Sequence, residues 1–330
     1  MRDEKSSVSK IPEGTTPHVA EMAQQAAILG RAAKSDNTRR AYDADWRSFR
    51  SWCATNHFDP LPASPATIGL YIAAIGTGAG AKAPSSIERA LAGISSQHRL
   101  KGFPFDRRHP AVADVLSGLK RSVRRAKRPK AALTADRMLP VIEVCGRDLA
   151  GVRDRALLLL GFSGALRRSE LVGVDVEHLA ETKDGYLLTL PFSKTDQDGQ
   201  GAVLGIPRSP NADLCPVTAI KAWLRLADID GGPVFRRVTR WGAVELDRLS
   251  DRSVALIVKS RAMAAGLRPV DVAKLAGHSL RAGFITTAYE MDVPEQATQK
   301  HVRHKRADTT RGYNRVASAF KGNPAKGLLG

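Results

Sequence analysis

Between Asn37 and His57 the apolar positions Tyr42, Trp46, Phe49 and the pair Trp52/Cys53 recur every three to four residues, with polar and basic residues between them. That spacing predicts a helix with one aromatic and one basic face. In "SPATIGLYIAAI" Ser64 suits an N-cap and Pro65 the first helical position, which predicts a second helix. The periodicity returns at Ile87, Leu91 and Ile94 and again at Val112, Leu116, Leu119 and Val123. Four helices are thus expected over roughly ninety residues. Upstream, residues 1–35 are polar and weakly patterned and predict a flexible segment with at most a loose helix.

Beyond residue 130 the pattern alternates. "TADRMLPVIEVC" and "GVRDRALLLLGFSGAL" read as helices, whereas "YLLTLPF" and "AVLGIPR" read as two strands joined by the polar loop "SKTDQDGQG". Helical patterning resumes with "CPVTAIKAWLRLADI", opened by Pro216, then "LSDRSVALIVKSRAMAAGL", capped by Ser250, then "HSLRAGFITTAYEM" and "PEQATQKHV". A chain of 330 residues with this change of pattern is expected to form two domains. The fold class is mainly α: a helical domain, then an α+β domain with a small antiparallel sheet.

Charge narrows the choice of partner. The net charge is +18, and both halves share it: 22 Lys/Arg against 11 Asp/Glu over residues 1–130, and 29 against 22 thereafter. A polyanion is the expected partner, and nucleic acid fits better than a membrane surface, which one basic amphipathic helix would serve. Seven of the eleven residues 120–130 are Lys or Arg, ending near the helix-breaking Pro129. This run is expected to be a linker lying along phosphates, with Lys120, Arg121, Arg124, Arg125, Lys127 and Arg128, and further upstream Arg39 and Arg40, as candidate backbone contacts. Cys53, Cys145 and Cys215 are too few and too scattered for a disulfide framework or a metal knuckle, and no signal peptide or membrane-length apolar run is seen, so an intracellular location is expected. No phosphate-binding glycine loop suggests nucleotide hydrolysis.

Three segments of the second half carry candidate chemistry: "SGALRRSEL" with Arg167 and Glu170, "GHSLRAG" with His278 and Arg281, and "RHKRADTTRGYNR" with His304 and Tyr313. Two arginines and two histidines without clustered carboxylates suit a phosphate diester. A guanidinium fork matches two non-bridging oxygens, and its charge offsets what accumulates in a pentacoordinate transition state. Without carboxylates to hold Mg²⁺, the expected chemistry is metal-free phosphoryl transfer to a protein nucleophile, with no cofactor. Tyr313 is the one tyrosine in basic, histidine-bearing surroundings: Tyr42 and Tyr71 lie on apolar helix faces, Tyr186 starts a strand and Tyr289 lies within a helix. His98, His109, His178 and His301 have no partner pattern and are read as surface or capping residues.

Over residues 37–320 the chain resembles the tyrosine recombinases of the phage integrase family. "LRRSEL" matches the family's L-R-x-S-E-L, placing its first arginine at Arg167 and the supporting acid at Glu170, and H-x-x-R falls on His278 and Arg281. The later His-or-Trp position falls on His304, nine residues before the nucleophile position at Tyr313, with Thr309 and Thr310 between; Lys194 in "LPFSKTD" matches the lysine of the strand loop. With the flexible segment 1–35 and the linker 120–130, the resemblance implies a core-binding domain 36–119 and a catalytic domain 131–320, followed by a tail 321–330. It implies a site-specific recombinase working on paired sites in double-stranded DNA through a 3′-phosphotyrosyl intermediate, as a homo-oligomer, a tetramer on DNA. Alternatives sharing the chemistry are a type IB topoisomerase-like or telomere-resolving enzyme, and one outside it is a non-catalytic DNA-binding regulator. One position departs from the family: Arg303 stands where a glycine commonly precedes the histidine.

Overall fold

A computed structural model of the chain describes residues 16–122, 131–191 and 201–314. It divides into two compact units between Arg128 and Pro129, inside the basic run.

The first unit holds α1 (Pro17–Ala32), α2 (Asp36–Thr55), α3 (Pro65–Gly76), α4 (Pro84–Leu100) and α5 (Pro110–Ser122). Local signals set the starts of α2 and α3: the Ser35 and Ser64 hydroxyls accept from the amides of Thr38 and Thr67, and Pro65 opens α3. Phe49 and Cys53 of α2 are buried with Tyr71, Ile72, Leu91, Ile94 and Val112, and Phe49 meets Tyr71 edge-on at 4.9 Å. Beneath the aromatic face lies a charge that the periodicity conceals. Asp45 is buried, and Arg89 of α4 binds both its oxygens, at 2.8 and 3.1 Å. His98, read as a surface or capping residue, is fully buried, and its Nε2 accepts from the amide of Ala63 in the loop before α3. In the upstream segment α1 is a helix of 16 residues, with Val19, Met22, Ile28 and Leu29 exposed.

The second unit holds α6 (Ala135–Glu143), α7 (Leu149–Ser163), α8 (Arg168–Val172), β1 (Leu179–Glu181), β2 (Gly185–Leu190), β3 (Ala202–Pro207), α9 (Pro216–Leu226), β4 (Arg236–Val238), β5 (Val244–Arg248), α10 (Asp251–Ala264), α11 (Pro269–Val272), α12 (Ser279–Glu290), α13 (Glu295–Val302) and α14 (Ala307–Asn314). β1, β2 and β3 form one antiparallel sheet, with Tyr186 opposite Ile206 and Leu188 opposite Leu204, all four buried. Leu187 and Val203 alternate outward. β4 and β5 pair as a second, two-stranded sheet.

Helix α7 runs through the core, with Leu157, Leu158 and Leu160 fully buried. Its close packing depends on Gly161, where a Cβ would come within 2.7 Å of Leu280 on α12 and 2.9 Å of Leu171 on α8. Helices α8 and α12, which carry motif residues, therefore meet at one end of α7. Among the described residues no helix is long and apolar enough to cross a membrane.

Candidate active site

Past Ser163 the chain leaves α7 through a corner in which Ala165 adopts a left-handed conformation, φ 44°. Arg167 follows as the residue before α8, and Glu170, three residues on, reaches back to it: the Arg167 amide donates to Oε2 at 2.9 Å and Nη1 donates to Oε1 at 2.5 Å. Oε2 also accepts from Nη2 of Arg303 at 3.0 Å. One buried carboxylate thus holds two guanidinium groups. Burial alone would push its pKa up, but the Arg167 amide bond and the charges of Arg303 and Arg167 outweigh this and hold it below the usual carboxylate value.

A second corner follows α13, where Arg303 is left-handed, φ 56° and ψ 45°. Arg281 of α12 joins the two corners, donating from Nη1 to the Ala165 carbonyl at 2.7 Å and from Nη2 to the Val302 carbonyl. It is wholly enclosed, 0 % exposed. Next in the chain, the His304 amide donates to Gln299 O, and His304 Nδ1 bonds to Thr310 Oγ1 at 2.8 Å. Thr310 is fully buried on α14, the helix whose last turn carries Tyr313. Arg311 of α14 pairs with Glu295 of α13 at 3.0 Å.

The electrostatics follow from this crowding. Burial, then the charges of Arg281, Arg167, His278 and Arg303, push the His304 pKa down to about 4, so its ring is neutral at neutral pH. His278, the residue before α12, is lowered too, by its packing and by Arg281 and Arg167. Several fixed positive charges around neutral imidazoles form a site that takes an anion and can donate hydrogen bonds to it.

Residues 131–319 match the phage integrase family. The chain is 38% identical over 296 residues to the integrase/recombinase XerD homologue of Selenomonas ruminantium, covering 88% of this chain and 85% of that protein. The chain belongs to the phage integrase family, the tyrosine recombinases. The recombinase is also 30% identical over 232 residues to tyrosine recombinase XerC of Pseudomonas putida, covering 70% and 69% of the two chains. Its fold is similar to the XerH site-specific recombinase bound to palindromic difH substrate in a post-cleavage complex (TM-score 0.56, 14% identity, 90% of this chain and 79% of that one). It is likewise similar to a lambda integrase(75–356) dimer bound to a COC′ core site (TM-score 0.53, 17% identity, 91% and 95%).

Within the recombinase, Arg167, Glu170, His278, Arg281 and His304 come together at the end of α7, and Tyr313 falls on the neighbouring α14. Lys194 and the basic residues Arg124, Arg125, Lys127 and Arg128 lie outside the described residues. Three side chains have partners that the motifs do not indicate. Arg303, which stands where a glycine is common in the family, is mostly buried and bound to Glu170. Arg281 presents no exposed fork, because its guanidinium ties two backbone corners. His301, half-buried, does cap: it stacks on Phe284 at 4.7 Å and donates to the carbonyl of Ser163, the last residue of α7, at 2.7 Å. Of the linker and upstream cations, Lys120 is paired with Glu88 at 2.6 Å and Arg39 with Asp36, while Arg40 and Arg121 are exposed. Reading the sequence missed Thr310 as a partner, although the family's Thr-Thr pair pointed at the position.

Proposed function

We propose that the recombinase cuts and rejoins DNA with Tyr313 as nucleophile. The phenolic oxygen attacks the scissile phosphorus, a Tyr–O–P bond forms on the 3′ side, and the P–O5′ bond breaks. The leaving 5′ oxygen takes a proton from Lys194, and His278, which keeps solvent access, takes up the phenolic proton. Arg167 grips the non-bridging oxygens, His304 donates a ring N–H to one of them, and Arg281 adds its charge from behind the two corners while Glu170 holds Arg167 in place. A 5′ hydroxyl from the partner strand reverses the step. The phosphodiester energy is kept in the tyrosyl ester, so neither ATP nor metal is consumed. Exchange between two duplex sites takes four protomers, two per site, and the work is done on DNA inside the cell.

The observation that carries this reading is the setting of His304. It lies in the field of Arg167, Arg281, His278 and Arg303 while bonding to the helix that bears Tyr313. The test is covalent trapping on site DNA nicked near the scissile phosphate. Tyr313→Phe should bind that DNA as the parent does and give no protein–DNA adduct on a denaturing gel; an undiminished adduct refutes the assignment. Lys194→Ala should slow cleavage, and a bridging sulfur at the 5′ position, a better leaving group, should restore the rate.

A further inference from the structure

The corner between α13 and α14 requires a left-handed residue, and that is the conformation glycine adopts at least cost. An arginine there costs about 1–2 kcal/mol of backbone strain and adds the desolvation of a guanidinium whose side chain is only 12% exposed. Neither cost is offset by need at Glu170, which already accepts from the amide and Nη1 of Arg167. Fold stability alone would favour glycine at this position.

What the arginine adds is connection. From the left-handed corner its side chain turns back across the end of α7. Nη2 donates to Glu170 on α8 at 3.0 Å, and Nη1 donates to the His301 carbonyl in the last turn of α13 at 3.0 Å, with a longer approach to the Gly164 carbonyl at 3.4 Å. Its backbone neighbour is His304. A planar fork can serve these diverging acceptors at once, and a lysine ammonium cannot.

We propose that Arg303 is a positioning residue for strand cleavage: it locks His304 and, through the carboxylate it shares on Glu170, Arg167 into one arrangement around the scissile phosphate. Arg281 joins the same two corners through Ala165 and Val302, so two arginines staple them from different sides, and loss of either lets one corner drift against the other. The charge of Arg303 also helps to keep His304 neutral. The proposal rests on the reading that Arg167 and His304 hold the phosphate.

The experiment compares the full chain with its Arg303→Gly, Arg303→Lys, Arg167→Ala and His304→Ala variants on nicked site DNA, measuring DNA affinity and the single-turnover rate of adduct formation separately. Arg303→Gly should bind within about twofold of the parent and form adduct about 10- to 100-fold more slowly, the scale of a misplacement near 1 Å. Arg303→Lys should recover part of that rate. Combining Arg303→Gly with Glu170→Gln should slow cleavage by less than the product of the two single effects, since the two variants share the Arg303–Glu170 contact. Should Arg303→Gly not fold, Arg303→Lys carries the test, and a parental rate in it overturns the proposal. Parental cleavage in Arg303→Gly while Arg167→Ala and His304→Ala fail overturns the role of Arg303 alone. Parental cleavage in Arg167→Ala and His304→Ala overturns the site reading beneath it.

Discussion

Glu170 neutralises two guanidinium groups in a place where water barely reaches. Replacing it by alanine strands Arg167 and Arg303, a loss of about 3 kcal/mol by analogy with other broken buried pairs. Glu170→Ala should therefore lower the melting temperature by about 6–12 °C; scanning calorimetry checks this, and a drop of under about 2 °C would mean that solvent screens the pair. His304 sets a pH limit of its own. Its folded pKa of about 4 lies below the ordinary 6.5, so the unfolded chain binds the proton more readily. The stability tied to the neutral ring is complete above about pH 6.5 and is lost as pH falls from there through 4. His278 and His301 are lowered as well and act in the same sense, whereas Glu170, also lowered, begins to lose its contribution only below its ordinary 4.5. The melting temperature should fall between pH 6.5 and 4.5, and His304→Gln should flatten that slope; a parent with no slope there would show that the ring is not held neutral.

Helix α12 shows how one element sets the site. At Gly283 an added Cβ would stand 1.8 Å from the Leu133 carbonyl oxygen, so Gly283→Ala must push α12 off the segment around Leu133, and Arg281 goes with the helix. The expected cost is about 3 kcal/mol or more, read as a lower urea midpoint together with lost adduct formation. Gly118 on α5 faces open space, so Gly118→Ala should instead be neutral or stabilising by up to about 1 kcal/mol. Parental behaviour in Gly283→Ala would refute the close approach. These elements differ in how far the sequence announces them. The Ser64 and Ser250 caps are local, and so is the alternation of Tyr186, Leu188 and Leu190, which is why they were legible. β4 and β5 were not: β4 is only Arg236–Val238, and although Val244 and Leu246 alternate with Glu245 and Asp247 in β5, that strand is five residues long and Leu246 faces solvent at 82% exposure, so the pattern is too short to stand out. α14 was hidden for a related reason, since its buried anchor is the polar Thr310 rather than an apolar stripe. The motifs gave the neighbourhood of Arg167, His278, Arg281 and His304, but the enclosure of Arg281 and the turn-back of Arg303 depend on corners made by distant segments.

On the scale of the whole chain the net charge of +18 is densest around the division between the two units, with seven cations in the eleven residues 120–130. A cation contributes to DNA affinity by releasing condensed counterions, and each phosphate neutralised adds about 0.9 to the slope of log K against log salt. Cations already held by carboxylates contribute less, because pairing with DNA requires giving up the first partner. Lys120 is held by Glu88 and Arg39 by Asp36, so Lys120→Ala and Arg39→Ala should each change the slope by less than about 0.5. Replacing Arg124, Arg125, Lys127 and Arg128 together by alanine should reduce it by up to about 3.6 if each lies against a phosphate. Anisotropy titrations of the full chain on site DNA between about 50 and 200 mM salt separate the two sets. The four-alanine variant should also lose discrimination least, since phosphate contacts carry no sequence information, and its affinity for site and random DNA should drop by the same factor. An unchanged slope in that variant would remove the linker from the DNA surface, and a selective loss on the specific site would make it a reader of bases instead.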